Sequence, residues 1–203
     1  VNLWEGLSSE VNFNVMFSQR GLYHLAHSVH DMQEITRRAY SNYLNGIDAE
    51  ILNQDQVKKN IPHMNVNGRY PVLGAILQRR AGTARHDAVA WGYARAAENL
   101  GVDIIQNCEV TGIDVSNGIV TGLQTTKGSV NAKKVGLVPA GHSSVLANMA
   151  GFRLPISSVP LQALVSEPIK PILDCVIMSN TVHVYVSQSD KGCLLYTSDA
   201  ADD

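Results

Sequence analysis

The stretch HDAVAWGYARAAENLGVDIIQNCEVTGIDVSNGIVTGLQTTKG, residues 86–128, constrains the fold more than any other part of the chain. Val89, Ala96 and Leu100 recur at helical spacing with small Gly92 on the same side, and Gly101 is the helix stop. VDIIQNCEVTGIDV then alternates into a strand, and SNG and TKG read as hairpin turns because their Asn or Gly tolerates the positive φ that tight turns require. KKVGLVPAGHSS follows as an apolar strand, expected to be buried through Val135 and Val138 and to end in the small-residue turn Ala140-Gly141. Helix, strand, meander and a last strand entering a glycine turn make up the second half of a doubly wound α/β domain. Bare backbone at such a turn can approach a phosphate or ribose; the same residues serve equally as a plain strand-to-helix turn.

The remainder reads as a mixed-sheet part. A short helix end opens the chain, NFNVMFSQRGLYHLAHS gives two strand-like runs broken at residues 19–21, and HDMQEITRRAYSNYLNG is a helix stopped by Gly46. NQDQVKKNIP is a brief helix closed by Pro62. The expected fold class is therefore mixed α/β, with residues 79–152 in the doubly wound domain and residues 1–78 and 153–192 in a substrate or interface domain. The chain lacks the G-x-G-x-x-G turn that opens a dinucleotide-binding βαβ unit. The first βαβ unit and a C-terminal part are expected to lie in a longer protein, within which VNLWEGLSSE begins. The segment by itself is then expected to be inactive and to lack holoenzyme stability.

CLLYTSDAADD, residues 193–203, resembles a translated sequencing adaptor and is expected to be a non-native tail without stable packing. Setting aside its Asp199, Asp202 and Asp203 takes the formal charge from −2 to +1. A near-neutral surface offers nothing to nucleic acid or to an acidic partner. No apolar run approaches the roughly 20 residues of a membrane span. Outside the tail only Cys108 and Cys175 remain, too few and too far apart for a zinc site or a disulfide framework, which fits a reducing, cytoplasmic setting.

His86 stands between Arg85 and Asp87 where the turn gives way to the helix. It reads either as an ordinary helix-start residue beside a solvated ion pair, or as the attachment point of a reactive group. Attachment needs an unprotonated ring nitrogen; Arg85 and the helix N-terminus disfavour the imidazolium, while Asp87 favours it. His24, His27 and His30 do not form a metal set, because residues 24 and 27 of one strand face opposite ways. His183 and Tyr185 are expected to share a strand face, in the core or lining a cavity.

FSQRG, NGIDAEIL, RYPVLGA, GTARHDAVAWG, AGHSSVLANMAGFRLPI, PLQALVSEP and HVYVSQ, in this order, resemble the β subunits of the heterotetrameric sarcosine oxidases, within the D-amino-acid-oxidase-like FAD family. The resemblance runs over residues 1–192. It implies oxidation of the secondary amine sarcosine at non-covalent FAD, giving glycine and a formaldehyde equivalent, with electrons passing to covalent FMN and then to O2 as H2O2. It implies α, γ and δ subunits as partners.

In that family a histidine in the segment matching TARHD carries the FMN, which assigns His86; as a cation next to it, Arg85 is expected to face the negative charge of the flavin pyrimidine ring or of the FMN phosphate. The resemblance also places the Val110 backbone near the adenine part of FAD and the Ala140-Gly141 turn near the cofactor, although Pro139 stands where a small residue is expected and removes an amide donor. No residue is assigned as catalytic base or substrate clamp. Another FAD-dependent amine oxidase or a dimethylglycine dehydrogenase would share the meander without the GTARHDAVAWG block. A non-catalytic assembly subunit would be expected to lose the flavin-facing positions.

Overall fold

The computed structural model describes residues 1–160 and 162–198. The elements run α1 Asn2–Glu10, β1 Ser18–Gln19, β2 Leu22–Ala26, α2 Val29–Leu44, β3 Glu50–Asn53, α3 Gln54–Asn60, β4 Gly74–Gln78, β5 Gly82–Thr83 and α4 His86–Asn99. They continue with β6 Val110–Ser116, β7 Ile119–Thr125, β8 Gly128–Asn131, a 3₁₀ turn Ala140–His142, α5 Ser143–Met149, β9 Gln162–Pro168, β10 Val176–Ser179, β11 Val184–Gln188 and β12 Cys193–Ser198. Two units result: residues 1–100 with 162–198, and residues 101–160. No helix among the described residues is long and apolar enough to cross a membrane.

The first unit is built on a mixed sheet in the order β3-β4-β2-β10-β11-β12-β9, antiparallel except where β10 runs parallel to β2. Its central strands are covered on both faces. Ile35 and Ala39 of α2 pack on Ala26 and Ile76, while Val57 of α3, with Ile61 and Val66, covers Tyr23, Leu25, Ala75 and Leu77. Both helices start on capping boxes, Ser28 with Asp31 and Asn53 with Gln56, so the first-turn N–H groups have partners before any packing occurs. Val89 and Ala96 of α4 pack against Leu7, Val11 and Val15, as the helical spacing predicts. Gly92 allows that approach: a Cβ there would lie 3.1 Å from Val11 Cγ2. Leu100 departs from the expected stripe and is exposed.

Buried His24 of β2 accepts at Nδ1 from an Arg38 N–H at 3.1 Å, so its own proton sits on Nε2. Burial first, and the Arg38 charge second, push its pKa below the ordinary 6.5, with Asp31 opposing. The unfolded chain therefore takes up this proton before the folded one does. Stability from His24 is intact above pH 6.5 and is lost as pH falls from there towards the lowered folded value. Thermal midpoints measured from about pH 7.5 down to about pH 5.5 should fall less steeply for His24→Gln than for the wild type. Parallel slopes would exclude His24 as the source.

In the second unit β6, β7 and β8 form an antiparallel meander. Asn117 and Gly118 carry φ of 51° and 76°, the pair of positive values that a type I′ hairpin needs. Two expected strands are absent among the described residues. Residues 102–109 precede β6 without a ladder, and residues 133–138 have none either, with Val138 93% exposed. A single backbone bond from Thr126 N–H to Glu109 O, at 3.0 Å, is not a ladder, and apolar character alone does not make a strand.

Three further expectations change. The first strand-like run shrinks to Ser18–Gln19, because Asn12 and Met16 adopt positive φ and break the extended path. His183 lies in the turn before β11 at φ 48°, so it does not share a strand face with Tyr185. Cys193–Ser198 of the expected unpacked tail forms β12, hydrogen-bonded between β11 and β9. The segment has no apolar period of its own, and pairing with β11 on one side and β9 on the other supplies its order. Residues 199–203 lie outside the described residues.

Candidate functional site

The start of α4 is placed by a two-residue ladder. β5 pairs with β1, Ser18 opposite Thr83 and Gln19 opposite Gly82. A Cβ on residue 82 would lie 1.8 Å from the Ser18 carbonyl oxygen and 2.7 Å from its carbon, so only glycine permits the pair. Gly82→Ala is expected to pry the ladder apart at a cost of about 1–3 kcal/mol, since the obstacle is backbone. A lowered thermal midpoint would register it; an unchanged one would mean that the pair does not position α4.

Beyond β5 the Arg85 N–H donates to Val15 O at 3.3 Å, and Arg85 becomes the N-cap residue of α4. Its guanidinium donates to Asp87 at 3.2 and 2.9 Å and to Asp190 at 3.4 Å. Asp190 lies in the turn between β11 and β12, so Arg85 ties that turn to the helix start. These hydrogen bonds, and then the Ala88 N–H at 2.8 Å, hold the Asp87 carboxyl below the usual carboxylate range. Arg85 is thus occupied by two carboxylates.

His86 is the first residue of α4, exposed and without a hydrogen-bond partner among the described residues. It borders a cleft of about 370 Å³ together with Arg20, Arg85, Tyr185, Gln188 and Lys191. Gln188 is buried at 4% exposure and organises one end of this cleft. Its Oε1 accepts from the Ile172 and Leu173 N–H groups at 2.8 and 3.1 Å, and its Nε2 donates to Lys170 O at 3.1 Å and Gly192 O at 2.9 Å. Neither Arg20 nor Gln188 stands out in the sequence; FSQRG and HVYVSQ contain them without marking a role.

Val110, Ala140 and Gly141 lie in the second unit. Val110 opens β6 opposite Thr125. Ala140 has φ 47° and starts the exposed 3₁₀ turn, where Ser143 Oγ donates to Ala140 O at 2.7 Å and Ser158 Oγ to Gly141 O at 2.6 Å. Among the described residues no group of three or more His, Cys, Asp or Glu could hold a metal ion.

Residues 1–203 match the FAD dependent oxidoreductase (DAO) family. The chain belongs to this family of FAD-dependent oxidoreductases. As a DAO-family chain it is 56% identical over 195 residues to the sarcosine oxidase subunit beta of Rhodobacter capsulatus, covering 96% of this chain and 47% of that protein. It is 54% identical over 197 residues to the same subunit of an Arthrobacter species, covering 96% of this chain and 49% of the other. This DAO-family chain therefore spans about half the length of the curated relatives it matches. Among solved structures it resembles L-proline dehydrogenase from P. horikoshii, with a TM-score of 0.82 at 20% identity, over 100% of this chain and 55% of that one. That likeness concerns the fold, which is the mixed α/β architecture of FAD-dependent oxidases and dehydrogenases.

Proposed function

We propose that this chain is part of the β subunit of a heterotetrameric sarcosine oxidase, acting in the cytoplasm with α, γ and δ subunits, and that the cleft at the start of α4 holds FMN on His86. The observation that carries this reading is the exposed, unbonded His86 imidazole at the edge of a cleft, in a chain more than half identical to sarcosine oxidase β subunits. Its three described cysteines are free thiols, in keeping with a reducing compartment.

Bound flavin would supply the redox chemistry, the two-electron oxidation of sarcosine to an imine that water converts to glycine and a formaldehyde equivalent, with the electrons ending on O2 as H2O2. The chain's own residues do the placing. His86 offers a ring nitrogen whose lone pair no neighbour occupies, the requirement for a bond to the flavin 8α carbon. Arg85, clamped by Asp87 and Asp190, fixes the helix start and the β11–β12 turn as adjacent walls. This refines its role from a free cation facing the flavin to a neutralised brace beside it.

Ala140 and Gly141 suit the FAD contact because both are exposed and neither has a bulky side chain of its own, while Val110 contributes backbone at the start of β6. The test is to express the full-length protein with its neighbouring reading frames and to measure peroxide formed with sarcosine and with dimethylglycine. Sarcosine-dependent peroxide is expected. Preference for dimethylglycine, or no peroxide with either, would overturn the assignment.

A further inference from the structure

Arg20 lies in the turn between β1 and β2, half-buried, and borders the His86 cleft. Its Nε donates to Ser18 Oγ at 3.1 Å and one terminal nitrogen donates to Gln188 O at 2.8 Å. Both acceptors are uncharged. A guanidinium has five N–H donors, so most of this one remains open, and its charge has no carboxylate partner among the described residues. The contrast with its neighbours is clear: Arg79 meets Glu50, Arg80 meets Glu5, and Arg85 meets Asp87 and Asp190. Asp190, which also borders the cleft, is therefore already engaged.

The position of Arg20 is built rather than incidental. The Gln188 carbonyl that holds it belongs to a residue whose side chain is locked by backbone groups on both sides, at 172–173 and at 170 and 192. Lys191 adds a second cation to the same cleft. None of the groups invoked lies within residues 193–203. A fixed fork with a free N–H edge, uncompensated charge and partial burial is the arrangement that takes an oxyanion, because charge-assisted bonds strengthen as water is excluded.

We propose that Arg20 is the anion anchor of the His86 cleft, binding an oxyanion group of its occupant on the N–H edge that Ser18 and Gln188 leave open. The proposal rests on the preceding reading only in taking this cleft as a ligand site: FMN is the occupant that reading gives, and a substrate carboxylate bound here would instead make this cleft the amine-oxidising centre. Two groups share the required chemistry, the carboxylate of an amino-acid substrate and the phosphate of a flavin nucleotide.

The test uses the full-length protein as wild type, Arg20→Gln and Arg20→Lys. Each is titrated with acetate and with inorganic phosphate while flavin absorbance is followed, and flavin content is measured on the same samples. Arg20→Gln is expected to weaken binding of one probe by at least about tenfold, and Arg20→Lys by less. Weakened acetate binding at unchanged flavin content assigns the carboxylate. A fall in FMN content, with free phosphate binding only where FMN has been lost, assigns the phosphate. Equal probe affinities, or no binding by any of the three proteins, together with equal flavin content would overturn the proposal. If Arg20→Gln does not fold, the comparison of wild type with Arg20→Lys, which keeps the charge but loses the fork, decides it by the same criteria. The His86 assignment fails separately: complete release of flavin on acid precipitation would sink that reading and leave an Arg20-dependent anion site standing.

Discussion

His86→Ala in the full-length protein is expected to abolish covalent flavin and to slow sarcosine-dependent peroxide formation by about a hundredfold, while reduction of FAD by sarcosine stays within about twofold of wild type. The split follows from where His86 sits. It opens α4 at the edge of the cleft, held by the β1–β5 ladder and the Arg85–Asp190 tie, and makes no hydrogen bond whose loss would disturb the fold. Removing the imidazole therefore removes an attachment atom and little else. Anaerobic bleaching of the flavin absorbance reports the first half-reaction, and peroxide release the second. Equal slowing of both would place His86 at the amine-oxidising centre instead.

The second large effect is on stability. Gln188→Leu leaves the Ile172 and Leu173 N–H groups and the Lys170 and Gly192 carbonyls without their side-chain partner, beside a side chain that is itself buried. A group orphaned where water cannot reach it costs roughly 1–3 kcal/mol; the Leu173 N–H is so placed while the exposed Ile172 and Lys170 groups resolvate, so a net loss of about 2–3 kcal/mol is expected. Gln188→Glu is expected to be no milder, since it turns the amide donor into an anionic oxygen facing carbonyls. A thermal midpoint close to wild type for either variant would show that residues 169–173 are held by other contacts.

The elements legible from the sequence are those with a local cause. α2, α3 and α4 have a helical period and a stop, and the two hairpins of the meander have Asn-Gly or Lys-Gly at the turn. The segments misread as strands, residues 102–109 and 133–138, have the composition of strands but depend on a partner backbone that a local reading cannot supply. Leu100 shows the same limit at a helix end: its spacing fits the stripe, yet the packed surface of α4 ends before it. β12 erred in the other direction, since a segment without an apolar period of its own was ordered by the strands beside it.

Of the candidate cleft, one lining residue is marked in the sequence. His86, marked by the GTARHDAVAWG block, lies on a cleft, but Arg20 and Gln188 meet across 168 positions of sequence, a contact that no spacing rule reveals. Arg85 was legible as a cation beside His86, but its second carboxylate comes from Asp190, 105 positions away. That distant partner is what changes its role from a free cation to a brace.

The central claim is that His86 is the flavin attachment point, and peptide mass spectrometry of the acid-precipitated full-length protein tests it most directly. The account predicts that flavin remains with the precipitate and that the mass of flavin mononucleotide is found on the peptide containing His86. Release of all flavin into the supernatant, or its mass on a peptide without His86, would contradict it.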